Sequence, residues 1–277
     1  MTLPRIPLAG VIGHPIAHSK SPQVHGHWLK TYGLPGHYIP MDVSSEDLEQ
    51  VLRALPKMGF VGANVTIPHK ERVLDLVDQV TDRATLIGAV NTLIFRDDGT
   101  AIGDNTDGYG FIENLRQGAP DWQPAAGPAV VLGAGGAARA IVASLLDAGV
   151  PEILISNRTR VRAEQLREDF GTRLTVVEWV QAGNILEDGA TVVNTTSLGM
   201  AGKSELRVPL DGLNKNAVVT DLVYNPLKTN FLAEAETQGC TTVDGLGMLL
   251  HQAVPGFERW FGTRPEVDDA TRQAALA

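Results

Sequence analysis

The sequence predicts an α/β fold with two domains, and three observations predict it. The chain has 277 residues, the length of one large domain or two ordinary ones. Its first hundred residues alternate short apolar runs with helix-like segments, which is typical of a mainly parallel sheet. A segment rich in Pro and Gly at 118–128 then precedes a second unit, which begins with a strand, a glycine turn and a helix start at 129–138.

The elements of the first hundred residues follow from local signals. Apolar runs bounded by turn residues predict strands at 7–12, 37–41, 62–66 and 90–95. Three helices are predicted in this part of the chain. Prolines in the first turn predict helices at 22–32 and from Pro68 through Val77. Serines before the first turn and apolar residues at helical spacing predict another after Ser44 and Ser45.

The second unit follows the same logic. A helix is predicted at 106–117, before the Pro- and Gly-rich segment. Apolar runs then predict strands at 129–132, 152–156, 173–177, 191–194 and 217–221. Near Thr241 the chain enters the segment 243–250 and then a helical tail.

The glycine turn after the strand at 129–132 predicts a dinucleotide site. Gly133, Gly135 and Ala138 have the G-x-G-x-x-A spacing. The first glycine permits the tight turn, the second permits close approach of a pyrophosphate, and the alanine permits close packing of helix on strand. The helix N-terminus that follows offers unpaired N–H groups to the phosphates.

The end of the next strand indicates which dinucleotide binds. An NAD-binding protein usually carries an acidic residue there, to bind the ribose 2′-hydroxyl. This chain instead has Asn157 and Arg158, followed by Arg160 and Arg162. Because guanidinium groups favour a 2′-phosphate, we expect NADP. The alternative, a solvated helix face, accounts for the arginines but not for the glycines.

The composition excludes several classes of function. The net charge of −9 opposes binding to a nucleic-acid backbone. Cys240 is the single cysteine, so no intrachain disulfide can form. Residues 1–7 lack the pattern of a signal peptide, and no apolar run approaches the ~20 residues that span a bilayer. We expect a soluble cytoplasmic protein that binds neither nucleic acid nor membrane.

Three polar clusters follow predicted strands, where ligands bind in open α/β sheets. Ser19 and Ser21 can bind a small polar group such as a carboxylate, although Ser21 before Pro22 is also a good helix cap. Lys70 stands where we expect a helix to begin, a place that disfavours a cation and so suggests a ligand-facing role.

The third cluster contains two aspartates, Asp104 and Asp107, for which turn or capping roles are an alternative to a functional one. A lysine and a carboxylate together are what an alcohol dehydrogenase without a metal requires. The seven histidines show no metal-ligand spacing, so we expect no metal. The G-x-S-x-G pattern of many serine hydrolases is absent from the sequence.

Several motifs follow one another over nearly the whole length of the chain. They are Ser19-Lys-Ser21-Pro22, Asn64-Val-Thr-Ile-Pro-His-Lys70, Gly88-Ala-Val-Asn91-Thr92, Asp104-Asn-Thr-Asp107-Gly108, Gly133-Ala-Gly-Gly-Ala137, Asn157-Arg-Thr159, Tyr224-Asn-Pro226, and Asp244-Gly-Leu-Gly-Met248 with Gln252. In the order and spacing of these motifs the chain resembles the shikimate dehydrogenase family.

The resemblance implies reversible hydride transfer between shikimate and 3-dehydroshikimate with NADP. Lys70 would be the acid/base group, with Asp107 as its partner. The substrate residues would be Ser19 and Ser21 for the carboxylate, then Asn64, Thr66, Lys70, Asn91, Thr106, Asp107, Tyr224 and Gln252. The cofactor residues would be Asp82, Gly133, Ala134, Gly135, Gly136, Ala137, Asn157, Arg158, Thr159, Arg162, Leu222 and Gly245.

The resemblance also implies an architecture. An N-terminal substrate domain would span 1–106 and be completed by 242–277, and a Rossmann-like NADP-binding domain would span 107–241. The active site would lie in the cleft between them. A homodimer is compatible with the sequence, which does not fix the oligomeric state.

Three alternatives stay open. The nearest is a quinate/shikimate dehydrogenase with relaxed substrate or cofactor use, or a paralogue acting on an amino-substituted ring. The second is another two-domain enzyme with an active-site lysine, such as a methylenetetrahydrofolate dehydrogenase, against which the Asp107 and Gln252 motifs argue. The third is a non-catalytic NADPH sensor, against which Lys70 and Asp107 argue.

Overall fold

The computed structural model describes residues 6–277. Residues 1–5 lie outside the described residues. They include the start of the first predicted domain and of the segment for which we expect no signal peptide. The contacts between Cα atoms divide the chain into two compact units. The first contains the described residues up to Thr106 together with Gln252–Ala277, and the second is Asp107–His251.

The described residues form strands and helices with the following bounds. The strands are β1 (Leu8–Gly13), β2 (His37–Asp42), β3 (Gly62–Val65), β4 (Gln79–Val80), β5 (Thr92–Phe95), β6 (Ala101–Asp104), β7 (Ala129–Leu132), β8 (Ile153–Ser156), β9 (Leu174–Val177), β10 (Thr191–Asn194), β11 (Val218–Asp221) and β12 (Thr241–Val243). The helices are α1 (Ser21–Thr31), α2 (Leu48–Ala54), α3 (Asp82–Ile87), α4 (Asp107–Gly118), α5 (Gly136–Asp147), α6 (Arg160–Phe170), α7 (Asn230–Thr237), α8 (Leu246–His251), α9 (Val254–Phe261) and α10 (Asp269–Leu276).

The sheet of the first unit has the strand order β2-β1-β3-β5-β6-β4. The pairs β1–β2, β1–β3 and β4–β6 are parallel, whereas β5 is antiparallel to both of its neighbours. The chain leaves β1 towards β2 and later places β3 on the other side of β1. The order of the strands therefore reverses between β1 and β3. Ligands bind at such a topological switch point in open α/β sheets, beside the loops that follow the two strands.

The sheet of the second unit has the order β12-β11-β10-β7-β8-β9, and the paired strands run parallel. The central strands β7, β8 and β10 are buried along their whole length, which explains their continuous apolar runs. The chain runs from β7 outward to β9 and then returns to β10 on the other side of β7. The prediction of an α/β fold with mainly parallel sheets is confirmed for both units.

The predicted helix from Pro68 through Val77 is wrong. Only a short 3₁₀ turn forms there, at Arg72–Asp75, and β4 and α3 follow it. The physical reason is tertiary: the Lys70 carbonyl accepts a hydrogen bond from the backbone N–H of Val90, at 2.8 Å. Because that carbonyl is occupied by a distant residue, it is not part of a local helical ladder. Lys70 therefore lies in a turn after β3, and no α-helix begins there.

The chain returns from the second unit to the first after His251, which is later than the expected return at 242. Strand β12 extends the second sheet by pairing with β11, and α8 packs against α4. The Asn114 side chain on α4 donates a hydrogen bond to the Asp244 carbonyl at 2.7 Å, directly before α8. Residues 242–251 consequently fold with the second unit.

An aromatic cluster joins α1 to the C-terminal helices of the first unit. His25 on α1 is fully buried and stacks on Tyr38 with ring centroids 3.8 Å apart. Trp28 packs edge-on against Phe257 of α9 at 5.3 Å, and Trp260 lies 5.7 Å from the His25 ring. The C-terminal helices thereby complete the core around α1.

Burial in this cluster favours the neutral form of the His25 imidazole. Neither ring nitrogen has a hydrogen-bond partner among the residues that the structure describes. Burial lowers the pKa of His25 to about 3, an effect that the nearby Asn64 side chain only partly opposes. Within the same range, no helix is both long and apolar enough to cross a bilayer.

The His25→Phe substitution is expected to remove a pH dependence of stability. The unfolded chain binds a proton at His25 near pH 6.5, whereas the folded chain binds it near pH 3, so stability is lost as the pH falls through this window. Between pH 7.5 and 5.5 the wild-type free energy of unfolding should fall by about 1.4 kcal/mol more than that of the variant. Urea denaturation at both pH values measures this difference.

The control is His37→Gln, because His37 is an exposed histidine of the same unit. It should show the wild-type dependence on pH. A difference between wild type and His25→Phe that stays constant with pH would contradict the assignment.

Candidate active site

The buried side-chain amide of Asn91 is the centre of a polar network in the first unit. Its Oδ1 accepts hydrogen bonds from the Thr106 backbone N–H at 2.9 Å, the Thr106 hydroxyl at 3.1 Å and the Thr92 hydroxyl at 2.9 Å. Its Nδ2 donates to Gln252 Oε1 at 3.3 Å. The Thr106 hydroxyl also lies 2.8 Å from the Gln252 carbonyl. Asn91, Thr106 and Gln252, predicted from separate motifs, are therefore in direct contact.

Asn64 joins this network from the neighbouring strand. It lies on β3 opposite Thr92 of β5, and its Nδ2 donates to the Asn91 carbonyl at 3.2 Å. Its Oδ1 accepts from the Tyr38 hydroxyl at 2.7 Å. The orientation of the Asn64 amide is therefore fixed from both ends. Tyr38 belongs to this network although no motif contains it, and Thr92 belongs to it although its motif predicts no separate role for Thr92.

Ser19 and Ser21 lie in the loop between β1 and α1, and the Ser21 backbone N–H lies 3.3 Å from Ser19 Oγ. Lys20 occupies the N-cap position of α1 and Ser21 is the first helical residue, so the capping alternative for Ser21 is not what the structure contains. Burial raises the pKa of Tyr38, and a hydrogen bond with the Ser21 side chain opposes that shift. Tyr38 thus connects the serines to Asn64.

Lys70 and Asp107 are each connected to residues of this network or their chain neighbours through the backbone. The Lys70 carbonyl accepts from Val90, the residue before Asn91. Asp107 is the first residue of α4 and directly follows Thr106. Asp104, the other aspartate of this cluster, has a structural role instead. Its carboxylate accepts hydrogen bonds from the side chains of Thr81 at 2.7 Å and Arg83 at 2.8 Å.

The remaining predicted residues of the first unit are placed as follows. Thr66 directly follows β3, and its N–H donates to the Ile12 carbonyl of β1 at 2.9 Å. Asp82 is exposed in the first turn of α3, behind the N-cap residue Thr81. In the second unit, Tyr224 follows β11 and its side chain is 38% exposed, so it is open to solvent there.

The glycine turn of the second unit has the predicted geometry. Gly133 has a φ of +113°, and a Cβ added there would lie 2.5 Å from Thr195 Oγ1, so a larger residue does not fit. Gly135 is the N-cap of α5, and an added Cβ would meet open space. Asn157 Oδ1 accepts from the Ala134 N–H at 3.2 Å, which fixes the turn to the end of β8.

A cavity of about 640 Å³ opens at this turn, between the ends of β7, β8 and β10. Its volume is within the range of about 300–1,000 Å³ for ligand sites. Many of the predicted cofactor residues line it, together with several residues that the sequence did not predict. The lining residues are Gly133, Ala134, Gly135, Asn157, Arg158, Arg162, Trp179, Thr195, Thr196, Ser197, Leu198, Ser204, Glu205 and Arg207.

The residues present fit a dinucleotide with a 2′-phosphate. The space beside Gly135 leaves room for a pyrophosphate at the N-terminus of α5. Arg158 and Arg162 line the same cavity, and among residues 6–277 their guanidinium groups make no hydrogen bond or ion pair. Arg160 differs, because it is paired with Glu164 and Glu178, at 2.6 Å in each case.

The buried carboxylate of Asp221 holds two loops beside this cavity. Its Oδ1 accepts from Asn194 Nδ2 and the Val223 N–H, both at 2.9 Å, and its Oδ2 accepts from the Thr229 hydroxyl at 2.8 Å. Asn194 Oδ1 in turn accepts from the Thr196 hydroxyl at 2.7 Å. Burial raises the pKa of Asp221 to about 6, although these hydrogen bonds oppose the shift.

Leu222 and Gly245, which the resemblance implies as cofactor residues, meet in the second unit. A Cβ added to Gly245 would lie 2.5 Å from the Leu222 carbonyl oxygen, so the close approach of the two backbones requires glycine. No group of three His, Cys, Asp or Glu side chains within the described range could hold a metal ion.

Comparison with known proteins covers both units. Residues 11–93 match the family described as shikimate dehydrogenase substrate binding domain. Residues 123–201 match shikimate / quinate 5-dehydrogenase, and residues 245–276 match shikimate 5'-dehydrogenase C-terminal domain. A protein of Cereibacter sphaeroides named shikimate dehydrogenase (NADP(+)) is 72% identical over 273 residues, which are 99% of this chain and 98% of the relative.

Two solved structures are similar over 98% of both chains. The shikimate 5-dehydrogenase of Thermus thermophilus, in complex with NADP(H) and shikimate, has 38% sequence identity and a TM-score of 0.87. The quinate dehydrogenase of Corynebacterium glutamicum, in complex with NAD, has 31% sequence identity and a TM-score of 0.90.

The Asn91→Ala substitution is expected to destabilise the first unit. It leaves the buried Thr106 N–H without its side-chain acceptor and removes one acceptor of the Thr92 and Thr106 hydroxyl groups. Buried polar groups without partners cost about 1–3 kcal/mol each, so we expect the free energy of unfolding to fall by about 3 kcal/mol. Urea denaturation followed by tryptophan fluorescence measures this loss.

Gln50→Ala is the control, since it removes an exposed amide on α2. It should change the free energy of unfolding by less than about 0.5 kcal/mol. If the two variants were equally stable, Asn91 would not be the centre of the network.

Proposed function

This chain belongs to the shikimate dehydrogenase family, and we propose that it performs the chemistry of that family through Lys70 and Asp107. The activity is that of an NADP-dependent oxidoreductase, the reversible interconversion of shikimate and 3-dehydroshikimate in aromatic amino acid biosynthesis. The single observation that carries the assignment to these residues is the Asn91 network, because the Lys70 carbonyl pairs with Val90, the residue before Asn91, and Asp107 directly follows Thr106.

The substrate residues are assigned by their chemistry. The hydroxyl groups of Ser19 and Ser21 hold the carboxylate, because two hydroxyl donors close together suit two carboxylate oxygens. Amide and hydroxyl groups, which both donate and accept, hold the ring hydroxyls. These residues are Asn64, Thr66, Asn91, Thr106 and Gln252, with Asp107 as an acceptor and Tyr224 lining the site.

The proton chemistry is assigned to the two charged residues. In the direction of oxidation, the Lys70 amine accepts the proton of the reacting hydroxyl, and in the direction of reduction the ammonium returns it. The Asp107 carboxylate orients the ammonium group and the hydroxyl, which supplies the positioning that such a transfer requires. NADP⁺, when bound, supplies the hydride-accepting carbon of this reaction.

The cofactor residues are assigned to the second unit and to Asp82. The glycine turn, Gly133 through Ala137, holds the pyrophosphate with its backbone N–H groups. Asn157, Arg158, Thr159 and Arg162 hold the adenosine end, with the guanidinium groups on the 2′-phosphate. Leu222 and Gly245 lie together at a second place in the same unit.

A quinate/shikimate dehydrogenase is the second candidate, because the chain is also similar to a quinate dehydrogenase that was solved with NAD. The test is an absorbance assay at the NADPH band with shikimate or quinate, each with NADP⁺ or NAD⁺. We expect shikimate with NADP⁺ to have the highest kcat/KM, by at least about tenfold over the other three pairs. Comparable values with quinate and NAD⁺ would favour the second candidate, and no turnover of any pair would contradict both.

The Lys70→Ala substitution is expected to lower kcat by about 10²–10⁴-fold, which is the usual contribution of a positioned acid–base group. The KM for shikimate should change much less, because the ring and carboxylate contacts remain. Lys57→Ala, at an exposed lysine of the same unit, is the matched control and should leave kcat unchanged. A near-normal kcat in purified Lys70→Ala protein would remove Lys70 from the chemistry.

A further inference from the structure

Part of the lining of the cavity in the second unit comes from a segment that no sequence motif marks. Between β10 and β11, Ser204, Glu205 and Arg207 line the cavity together with the motif residues. The backbone of this segment is held in place, because Val208 and Leu210 are buried in the core and Leu206 packs against it. Arg207 therefore stands between two core-packed neighbours, and its own side chain lies against the cavity.

Positively charged side chains outnumber negatively charged ones in the lining of the cavity. The charged side chains that line it are three guanidinium groups and one carboxylate, those of Arg158, Arg162, Arg207 and Glu205, which leaves two net positive charges. Across residues 6–277, none of these four groups makes a hydrogen bond or ion pair with another side chain. A phosphate monoester carries about −1.5 to −2 charges at pH 7, so the cavity and a 2′-phosphate are matched in charge.

From this charge balance we infer that Arg207 is a specificity-determining residue that binds the 2′-phosphate of NADP together with Arg158 and Arg162. The inference rests on the proposed function, which places the adenosine end of NADP in this cavity. Without Arg207, the remaining lining has a single net positive charge, because Glu205 offsets one of the two motif arginines. Arg207 restores the match to a dianion, and it acts only on the cofactor that carries the phosphate.

The test uses two nucleotides that differ only in the 2′-phosphate, adenosine 2′,5′-bisphosphate and adenosine 5′-monophosphate. Isothermal titration calorimetry measures the binding of each to the whole protein, so the readout does not depend on turnover. In Arg207→Ala we expect the bisphosphate Kd to rise by about tenfold or more, as for the loss of a hydrogen bond to a charged group. The monophosphate Kd should stay within about twofold of the wild-type value.

Three further variants sharpen the test. Glu205→Gln should tighten bisphosphate binding by a few-fold, since it removes the opposing charge, and Arg207→Lys should restore part of the lost affinity. Arg160→Ala is the matched control, because Arg160 is paired with two glutamates and is absent from the cavity wall. It should bind both nucleotides as the wild type does.

The outcomes separate this inference from the proposed function. If Arg158→Ala loses bisphosphate affinity but Arg207→Ala does not, the role of Arg207 is refuted while the cofactor assignment stands. If neither variant changes bisphosphate binding, the proposed placement of NADP itself fails. Equal losses for both nucleotides in Arg207→Ala would also overturn the inference, because they would indicate a general disruption of the cavity.

Discussion

The buried amide of Asn91 is the interaction on which the polar site of the first unit depends. Its side chain accepts from Thr92 and Thr106 and donates to Gln252, and its backbone pairs with Val65 and Asp104 at 2.8 and 3.0 Å. A buried polar group without a partner costs about 1–3 kcal/mol, so an arrangement that separated these residues would be penalised several times over. The network therefore favours one arrangement of these side chains, and fixed positions of this kind are what positioned catalysis requires.

In the second unit, the corresponding constraint is the position of the loops beside the cavity for an anionic ligand. Its parallel sheet brings the ends of β7 and β10 together, and the buried Asp221 carboxylate fixes the segments that follow β10 and β11. Leaving a carboxylate inside the protein is costly, and the raised pKa of Asp221, about 6, reflects that cost. Three hydrogen bonds offset part of it and give the loops one preferred position.

The electrostatics of the cavity depend on pairing more than on the number of arginines. The chain carries a net charge of −9, yet the lining of its cavity contains three guanidinium groups and only one carboxylate. Arg160 belongs to the same sequence cluster as Arg158, but its charge is taken up by Glu164 and Glu178. A local excess of positive charge on an acidic protein suits a small anionic ligand and opposes a long polyanion.

The sequence by itself determined the α/β class, most strands and the dinucleotide turn, because these depend on residues that are neighbours along the chain. Strands β7 and β10 have the predicted bounds, since a continuous apolar run needs no distant partner to be recognised. Gly133 was found for the same reason, because its spacing from Gly135 and Ala138 is local. Lys70 and Asp107 were singled out as chemical groups, and their joint role in the reaction stays a proposal.

Only the tertiary structure decided where the long-range partners lie. The helix predicted from Pro68 does not form, because the Lys70 carbonyl is paired with Val90 across the fold. Tyr38 and Arg207 were not predicted from the sequence, because their significance comes from Asn64 and the cavity rather than from their neighbours in sequence. Hydrogen-bond partners and charges that are distant along the chain leave no local pattern, so folding alone brings them together.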